Sequence, residues 1–191
     1  MIINILERYL HSYISNYLSF IRTLFYEFSR ITNHLLAITT HAIDIGSLNS
    51  MLLAFEEREK ILALHEYIAG SRIHSSLLSI FTIRYDISFR FIIYLFDLLI
   101  NFPSVMKEMN SILSYSSIFI SRLYMIGIVD FDTVMICAIS GVLFRSVGIN
   151  VDYRMIYYHY LHHCIIIGVI GDCLDRYQLR MNELYQSIII C

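Results

Sequence analysis

The chain has 191 residues, of which 57% are apolar and 16% are charged, with one proline and no tryptophan. This length predicts one domain with a sizeable core, and so apolar a chain cannot remain disordered in water. Lys and Arg number 14 against 16 Asp and Glu, so the chain lacks the basic excess of nucleic-acid-binding proteins. The four cysteines form no CxxC pair and no zinc-ligand spacing, so we interpret them as apolar residues and expect no metal site.

A mean hydropathy of +0.61 raises the question of a membrane span. A transmembrane helix needs about 18 or more apolar residues with few charges. Asp97 interrupts the apolar run that starts at Ile92, and the longest uncharged run, residues 155–171, carries three histidines. Polar groups at membrane depth are costly. The sequence therefore predicts no spanning segment and a chain that neighbouring protein buries.

The spacing of apolar residues predicts two long helices in the first half of the chain. Apolar residues recur every three or four positions over residues 17–41, and Gly46 follows as a helix break. Ser50 is the predicted N-cap of a second helix, which ends at Gly70.

The second half is predicted to contain shorter helices. A third helix covers residues 88–101 and ends before Pro103, because the residue before a proline disfavours helical geometry. Ser104 then caps a short helix that runs through Leu113. The remaining predicted elements are a helix from Asp130 or Asp132 to Phe144, a strand-like patch over residues 165–169 and a helix that Asp172 caps. The predicted fold is mainly α, a helical bundle with few short strands and a single domain over residues 1–191.

Several titratable residues are candidates for chemistry. His34 and His41 lie seven residues apart on one helix face, where a histidine is more often a hydrogen-bonded core residue than a ligand. Asp44 follows thirteen uncharged residues, so it either forms the turn after the helix or is a buried acid that exchanges a proton. Arg72 and His74 follow a helix end, where cations are favourable, and His74 could also accept a proton beside a charged cofactor.

Six motifs occur in a fixed order along the chain. They are R-x-L-F-x-E-x-x-R-I-x-N-H-L-L at residues 22–36, H-A-x-D-I-G at 41–46, F-E-E-R-E at 55–59, G-x-R-x-H at 70–74, S-G-V-x-x-R at 140–145 and G-D-C-x-D-R-Y-x-x-R-x-x-E-x-x-Q-S at 171–187. From about residue 6 to its end, the chain resembles the 49 kDa subunit family of respiratory complex I, which is related to the nickel-iron hydrogenase large subunit. The resemblance implies the helical-bundle core of that fold.

The resemblance also implies roles for particular residues. Asp44 takes the position of an acid that supports a quinone-site histidine in the family. His74 takes the position of a histidine that lies near the terminal iron-sulfur cluster. Reduction of a cluster adds negative charge and favours protonation of a nearby imidazole. The implied quinone-chamber residues and supporting ion pairs are His34, His41, Glu56, Glu57, Arg58 and Arg72. The implied structural motif residues are Arg145, Asp172, Asp175 and Arg176.

The function implied is that of a core piece of the proton-translocating NADH:ubiquinone oxidoreductase, in the matrix-side arm at the mitochondrial inner membrane. The chain would bind no cofactor itself. It would face a 4Fe-4S cluster held by a partner subunit of the NuoB/PSST type, with ubiquinone as the substrate. Because the N-terminus carries no targeting signal, we expect the chain to be organelle-encoded.

The chain departs from the family pattern in two ways. It lacks the N-terminal H-P-x-x-H-G hairpin and the C-terminal segment, which predicts one piece of a split subunit completed by other polypeptides. Residues 79–83 also replace an R-P-G-G-V loop, whose glycines allow close backbone approach. A degenerate helical scaffold without a redox role is therefore an alternative. A hydrogenase is a weaker one, because the nickel-ligating cysteines are missing.

Overall fold

A computed structural model of the chain describes residues 2–11, 14–73, 77–152, 154 and 163–191. The described residues are mainly helical, which confirms the predicted fold class. In chain order the elements are α1 (Ile2–Tyr9), α2 (Asn16–Ile45), α3 (Leu48–Ala69), β1 (Leu78–Ser79), β2 (Thr82–Ile83), α4 (Phe89–Ser114), α5 (Ser117–Leu123), α6 (Phe131–Ile136), α7 (Val142–Ser146) and α8 (Cys173–Ile190).

Helix α2 is the centre of the bundle and packs against both α3 and α8, while α3 also packs against α4. Its inward face carries Phe28, Ile31 and Leu35, which are almost completely buried. Burying each such side chain contributes about 2 kcal/mol. The Ser15 hydroxyl accepts the Leu18 N–H at the start of α2, and Gly46 ends the helix at φ 107°, a conformation that favours glycine. The predicted first helix and its break at Gly46 are confirmed.

The predicted start of the second helix is wrong by three residues. Helix α3 begins at Leu48 with Ser47 as the N-cap residue, and Ser50 lies buried inside the first turn. The Ser50 hydroxyl donates to the Ser47 carbonyl oxygen over 3.0 Å. The Ser50 side chain thus binds a preceding carbonyl group and does not act as the N-cap of the helix. The end of the helix at Gly70, which adopts φ 69°, is as predicted.

The prediction that the third helix ends before Pro103 is wrong, because α4 continues through this proline to Ser114. A proline inside a helix removes one hydrogen bond and costs about 3 kcal/mol. Beyond it, the helix buries Met106, Met109 and Leu113 almost completely, on the same face that buries Phe91. At about 2 kcal/mol for each buried side chain, this burial outweighs the proline penalty.

Because α4 is uninterrupted, it also differs from the sequence prediction that no segment could span a membrane. Among the described residues, α4 is one helix that is long and apolar enough to cross a membrane. Its most apolar stretch of 18 residues has a mean hydropathy of 1.5, and 28% of that stretch is buried. Core helices of water-soluble proteins meet the same criterion but are mostly buried, whereas most of this stretch is not.

Residues 117–171 differ most from the sequence prediction. The single helix expected from Asp130 to Phe144 is two helices, α6 and α7, because Ala138 and Gly141 both adopt positive φ between them. Helix α5, which the Ser116 hydroxyl caps, was not predicted. The expected strand over residues 165–169 is irregular, and the Gly168 N–H donates to the Arg145 carbonyl oxygen. The described strands instead form the short antiparallel hairpin of β1 and β2.

A buried ion pair attaches α1 and this hairpin to α2. Glu7 is fully buried and accepts two hydrogen bonds from the Arg22 guanidinium, and it also accepts the Phe81 N–H over 2.7 Å. The hydrogen bond from Arg22 lowers the pKa of Glu7 despite burial, so the carboxyl is ionised. Phe81 sits at the hairpin turn with φ 62°, a left-handed conformation that favours glycine.

Candidate functional site

A cleft of about 350 Å³ lies between α2 and α8, near the C-terminal end of α2 and the N-terminal half of α8. Positions three, four and seven apart share one face of a helix, which is why short sequence motifs place several side chains on each wall. The lining residues are Ala37, Ile38, Thr40, His41 and Asp44 from α2, and Cys173, Arg176, Tyr177 and Arg180 from α8. The structure thus brings together three of the predicted site residues: His41, Asp44 and Arg176.

Arg176 holds the loop before α8 in place. Its guanidinium donates to the Gly171 carbonyl oxygen over 2.7 Å and to the Gly127 carbonyl oxygen over 3.0 Å. It also contacts the Cys173 Sγ at 2.8 Å. These partners carry no formal negative charge, so the positive charge of Arg176 is retained at the cleft.

Arg180 is a second cation on the same wall. Its Nη1 donates to the Arg176 carbonyl oxygen over 3.4 Å, and it forms no ion pair within 4 Å among the residues that the structure describes. Burial lowers the pKa of Arg180, and the positive charge of Arg176 adds to this effect. The arginine nevertheless stays charged, because its ordinary pKa is far above neutrality.

His41 faces these two arginines from α2. Burial lowers the pKa of His41, the Arg180 charge lowers it further, and the nearby Asp44 carboxylate opposes the shift. The imidazole is therefore neutral at pH 7. Its Nε2 atom is buried and has no hydrogen-bond partner within the described part of the chain. With one carboxylate and two guanidinium groups, the cleft carries a net charge of about +1.

A buried ion cluster lies further along the contact between α2 and α8. Its hub is Glu183, which is fully buried on α8. The His34 Nε2 atom lies 2.7 Å from one carboxylate oxygen, and the Arg145 Nε atom donates to the other over 2.9 Å. Burial disfavours the Glu183 charge, but the hydrogen bond from His34 and the Arg145 charge outweigh it and lower the pKa of Glu183 to about 2. Burial lowers the pKa of His34, so this histidine is neutral and donates to Glu183.

Four more charged residues extend this cluster. Arg154 donates to Asp152 through Nε over 2.9 Å, and its Nη1 atom lies 3.7 Å from the Glu27 carboxylate. Arg30 approaches Glu27 at 3.3 Å and Glu183 at 3.8 Å. Three carboxylates thus face three guanidinium groups, and the buried charges balance. The cluster fixes α2 against α7 and α8, and so sets the separation of the two walls of the cleft.

Sequence reasoning missed Glu27, Asp152, Arg154 and Glu183 as members of this cluster. One signal was available, because Glu27 and His34 lie seven residues apart on the apolar face of α2, where an unpaired charge would be costly. Their partners are distant in sequence, so periodicity within one helix does not reveal them. Arg145 was predicted as a structural motif residue, and the structure places it on α7, where its guanidinium donates to Glu183.

Asp172 and Asp175 organise the entry to α8. The Asp172 side chain accepts the Asp175 N–H over 2.8 Å, as predicted for an N-cap, and also accepts the Met125 N–H over 2.9 Å. Asp175 accepts three consecutive backbone N–H groups, those of residues 169–171, over 2.7 to 3.1 Å. These acids therefore shape the loop that Arg176 also holds.

The remaining predicted residues lie outside the cleft. Lys60 pairs with Glu56 at 3.0 Å and with Glu57 at 2.7 Å on α3, and the Arg58 guanidinium lies 5.8 Å from the centre of the Phe55 ring. The pair with the exposed Glu56 contributes little to stability, whereas Glu57 is buried and Lys60 compensates its charge.

Beyond α3, Arg72 pairs with Glu59 and approaches Glu66 at 3.5 Å. His74 lies outside the described residues. Among the described residues, no group of three or more His, Cys, Asp or Glu side chains is arranged to hold a metal ion.

Comparison with known proteins gives one consistent result. Residues 44–191 match the profile of the family described as "Respiratory-chain NADH dehydrogenase, 49 Kd subunit". The chain is 39% identical over 190 residues to the NADH dehydrogenase (ubiquinone) iron-sulfur protein 2 of Nephroselmis olivacea, covering 96% of this chain and 47% of that protein. It is 37% identical to the NADH-ubiquinone oxidoreductase 49 kDa subunit of Paramecium tetraurelia, covering 94% and 46% respectively.

A bacterial relative, an NADH-quinone oxidoreductase subunit of Orientia tsutsugamushi, is also 37% identical, with 90% of this chain and 44% of that protein covered. The chain thus spans about half the length of the curated relatives it matches.

Proposed function

Because the chain belongs to the family of 49 kDa subunits of the respiratory-chain NADH dehydrogenase, we propose that it forms one wall of a quinone-reduction chamber in an NADH:quinone oxidoreductase. The observation that carries the proposal is the cleft between α2 and α8, which joins Asp44 and His41 to Arg176 and Arg180. Electrons would arrive from a 4Fe-4S cluster in a neighbouring subunit of the NuoB/PSST type. Their transfer would be coupled to proton translocation.

The residues of the cleft suit the reduction of a quinone, which takes up two electrons and two protons. Negative charge develops on a quinone oxygen as electrons arrive, and fixed cations such as Arg176 and Arg180 stabilise it. Asp44 and the neutral His41 are within the same cleft and can hold or pass on a proton. The buried cluster around Glu183 keeps the two walls at a constant separation, so the charges are in place before the reaction.

The chain spans about half the length of its relatives. The remainder of the subunit would supply the histidine that Asp44 supports and the rest of the chamber. The assembly would lie at the mitochondrial inner membrane, with this chain on the matrix side. His74 and Arg72 would lie on the side of the chamber that faces the 4Fe-4S cluster.

A second candidate is a scaffold role in the same assembly without a part in electron transfer. The observation that favours it is the β1–β2 hairpin, where Phe81 adopts φ 62° in the loop that carries glycines in the family pattern. A bulky residue there gives the backbone less freedom to approach a neighbouring group closely.

The Asp44→Asn substitution in the purified assembly distinguishes these two functions. The asparagine keeps the shape of the side chain but cannot exchange a proton, so we expect quinone reduction by NADH to fall by about a hundredfold. Electron transfer from NADH to ferricyanide, which bypasses the quinone chamber, should remain unchanged. The matched control is Asp97→Asn, which alters an exposed carboxylate on α4 outside the cleft. Equal quinone reduction by both variants would favour the scaffold.

A further inference from the structure

The cleft between α2 and α8 holds more positive than negative charge. Arg176 donates to carbonyl oxygens, Arg180 has no ion pair among the described residues, and Asp44 pairs with neither of them within 4 Å. The desolvation of the half-buried Arg180 is only partly compensated, because the Glu183 charge that acts on it from beyond 4 Å is shared with Arg145 and Arg30. A neutral quinone would leave this excess charge in place.

We propose that this cleft binds an oxyanion, a carboxylate or a phosphate group, between Arg176, Arg180 and the Nε2 atom of His41. The Arg180 guanidinium, which makes one hydrogen bond at 3.4 Å in the described part of the chain, can bind two oxygens of such an anion in bidentate geometry, and Arg176 adds its positive charge. The buried Nε2 atom of His41 has no partner among the described residues and can donate a hydrogen bond to a third oxygen. One monoanion would neutralise the net charge of the cleft. The oxyanion and the quinone of the proposed function would exclude one another, because both use Arg176 and Arg180.

Cys173 provides a direct probe, because it lines the cleft and is partly exposed. Iodoacetate is an anionic alkylating agent and iodoacetamide is its neutral counterpart, and their products differ in mass. Labelling with a mixture of the two therefore reports the local potential as a product ratio. Effects on thiol ionisation cancel in this ratio, because both reagents attack the same thiolate. Cys137 and Cys164 are exposed and serve as internal references in the same chain.

We expect the ratio of the iodoacetate to the iodoacetamide product at Cys173 to exceed that at Cys137 and Cys164 by about threefold. This corresponds to one uncompensated charge about 6 Å away in an aqueous cleft at low salt. Arg180→Gln should remove the excess, whereas Asp44→Asn should increase it by a similar factor. The matched control Arg90→Gln removes an exposed arginine that is not part of the cleft and should leave the ratio unchanged.

Inorganic phosphate separates the two sources of the anion. If the anion is free in solution, millimolar phosphate should slow labelling of Cys173 in the assembly without affecting Cys137. If a carboxylate of a neighbouring subunit occupies the cleft, Cys173 should be protected from both reagents in the assembly and insensitive to phosphate. In that case the full chain in isolation should show the threefold ratio.

A second measurement does not require the thiol to react. Phosphate should raise the unfolding temperature of the isolated wild-type chain more than that of the Arg180→Gln variant, since a ligand stabilises the state that binds it. Equal product ratios at Cys173 and the reference cysteines in both preparations would overturn the proposal, as would equal phosphate-induced shifts in the two proteins. Because neither readout involves turnover, the result is independent of the Asp44→Asn test of quinone reduction.

Discussion

Glu183 is the residue whose substitution should most affect the stability of this fold. Its carboxylate is fully buried and binds His34 and Arg145, so the Glu183→Ala variant leaves Arg145 buried without its closest counter-ion. Breaking a buried ion pair by removing one partner costs about 3 to 5 kcal/mol. For a chain of this length, this corresponds to a fall of roughly 10 °C in the unfolding temperature.

The Glu183→Gln variant should be less damaging. The amide oxygen can still accept from Arg145, and the amide nitrogen can donate to His34 once the imidazole proton moves from Nε2 to Nδ1. We expect it to lose about half as much stability as Glu183→Ala. The matched control is Glu56→Gln, which removes an exposed partner of Lys60 and should change stability by less than about 0.5 kcal/mol.

Thermal and urea unfolding of the full chain, followed by far-ultraviolet circular dichroism, measures these differences. The order Glu183→Ala, Glu183→Gln, Glu56→Gln, from least to most stable, is the expected result. A Glu183→Ala variant as stable as Glu56→Gln would mean that the buried cluster does not hold α2 against α8.

Three further predictions concern stability and use the same unfolding measurements. Phe81→Gly should raise stability by about 1 kcal/mol, because the turn residue has φ 62° and an exposed side chain; a decrease would contradict the inferred strain. Pro103→Ala should stabilise α4 by about 1 to 3 kcal/mol through the restored backbone hydrogen bond, and no gain would mean that the proline is accommodated without cost. Burial lowers the pKa values of His34, His41 and His65, so the unfolded state binds more protons and the free energy of unfolding should decrease as the pH falls below about 6.5. His65→Leu should reduce this dependence on pH, and an unchanged slope would contradict a role for that residue.

The features that the sequence predicts best depend on local signals. The face of α2, the breaks at Gly46 and Gly70, and the cap at Asp172 follow from spacing and from single residues whose backbone preferences are strong. Pro103 shows the limit of such signals. Its local preference is outweighed by the burial of Met106 and its neighbours, which only the packed bundle determines.

The candidate site shows the same division. Asp44, His41 and Arg176 lie in short motifs, and each motif places its residues on one helix face. The packing of α2 against α8 that forms the cleft is tertiary structure, which these local motifs do not predict. Arg180 occurs in register in the last motif, yet its lack of an ion pair among the described residues is visible only in the folded chain. Glu183 belongs to the same motif, and its position as a hub depends on His34, which is 149 residues away.

Under the proposed function, this chain forms part of the chamber where quinone is reduced. Photoaffinity labelling of the purified assembly with a photoreactive ubiquinone analogue tests it most directly, with peptide mass spectrometry to locate the label. We expect labelling on the cleft-lining parts of α2 and α8, including the segment around Asp44, and loss of this labelling when excess unlabelled ubiquinone is added. Labelling confined to other subunits, or labelling of this chain that excess ubiquinone does not displace, would contradict the claim.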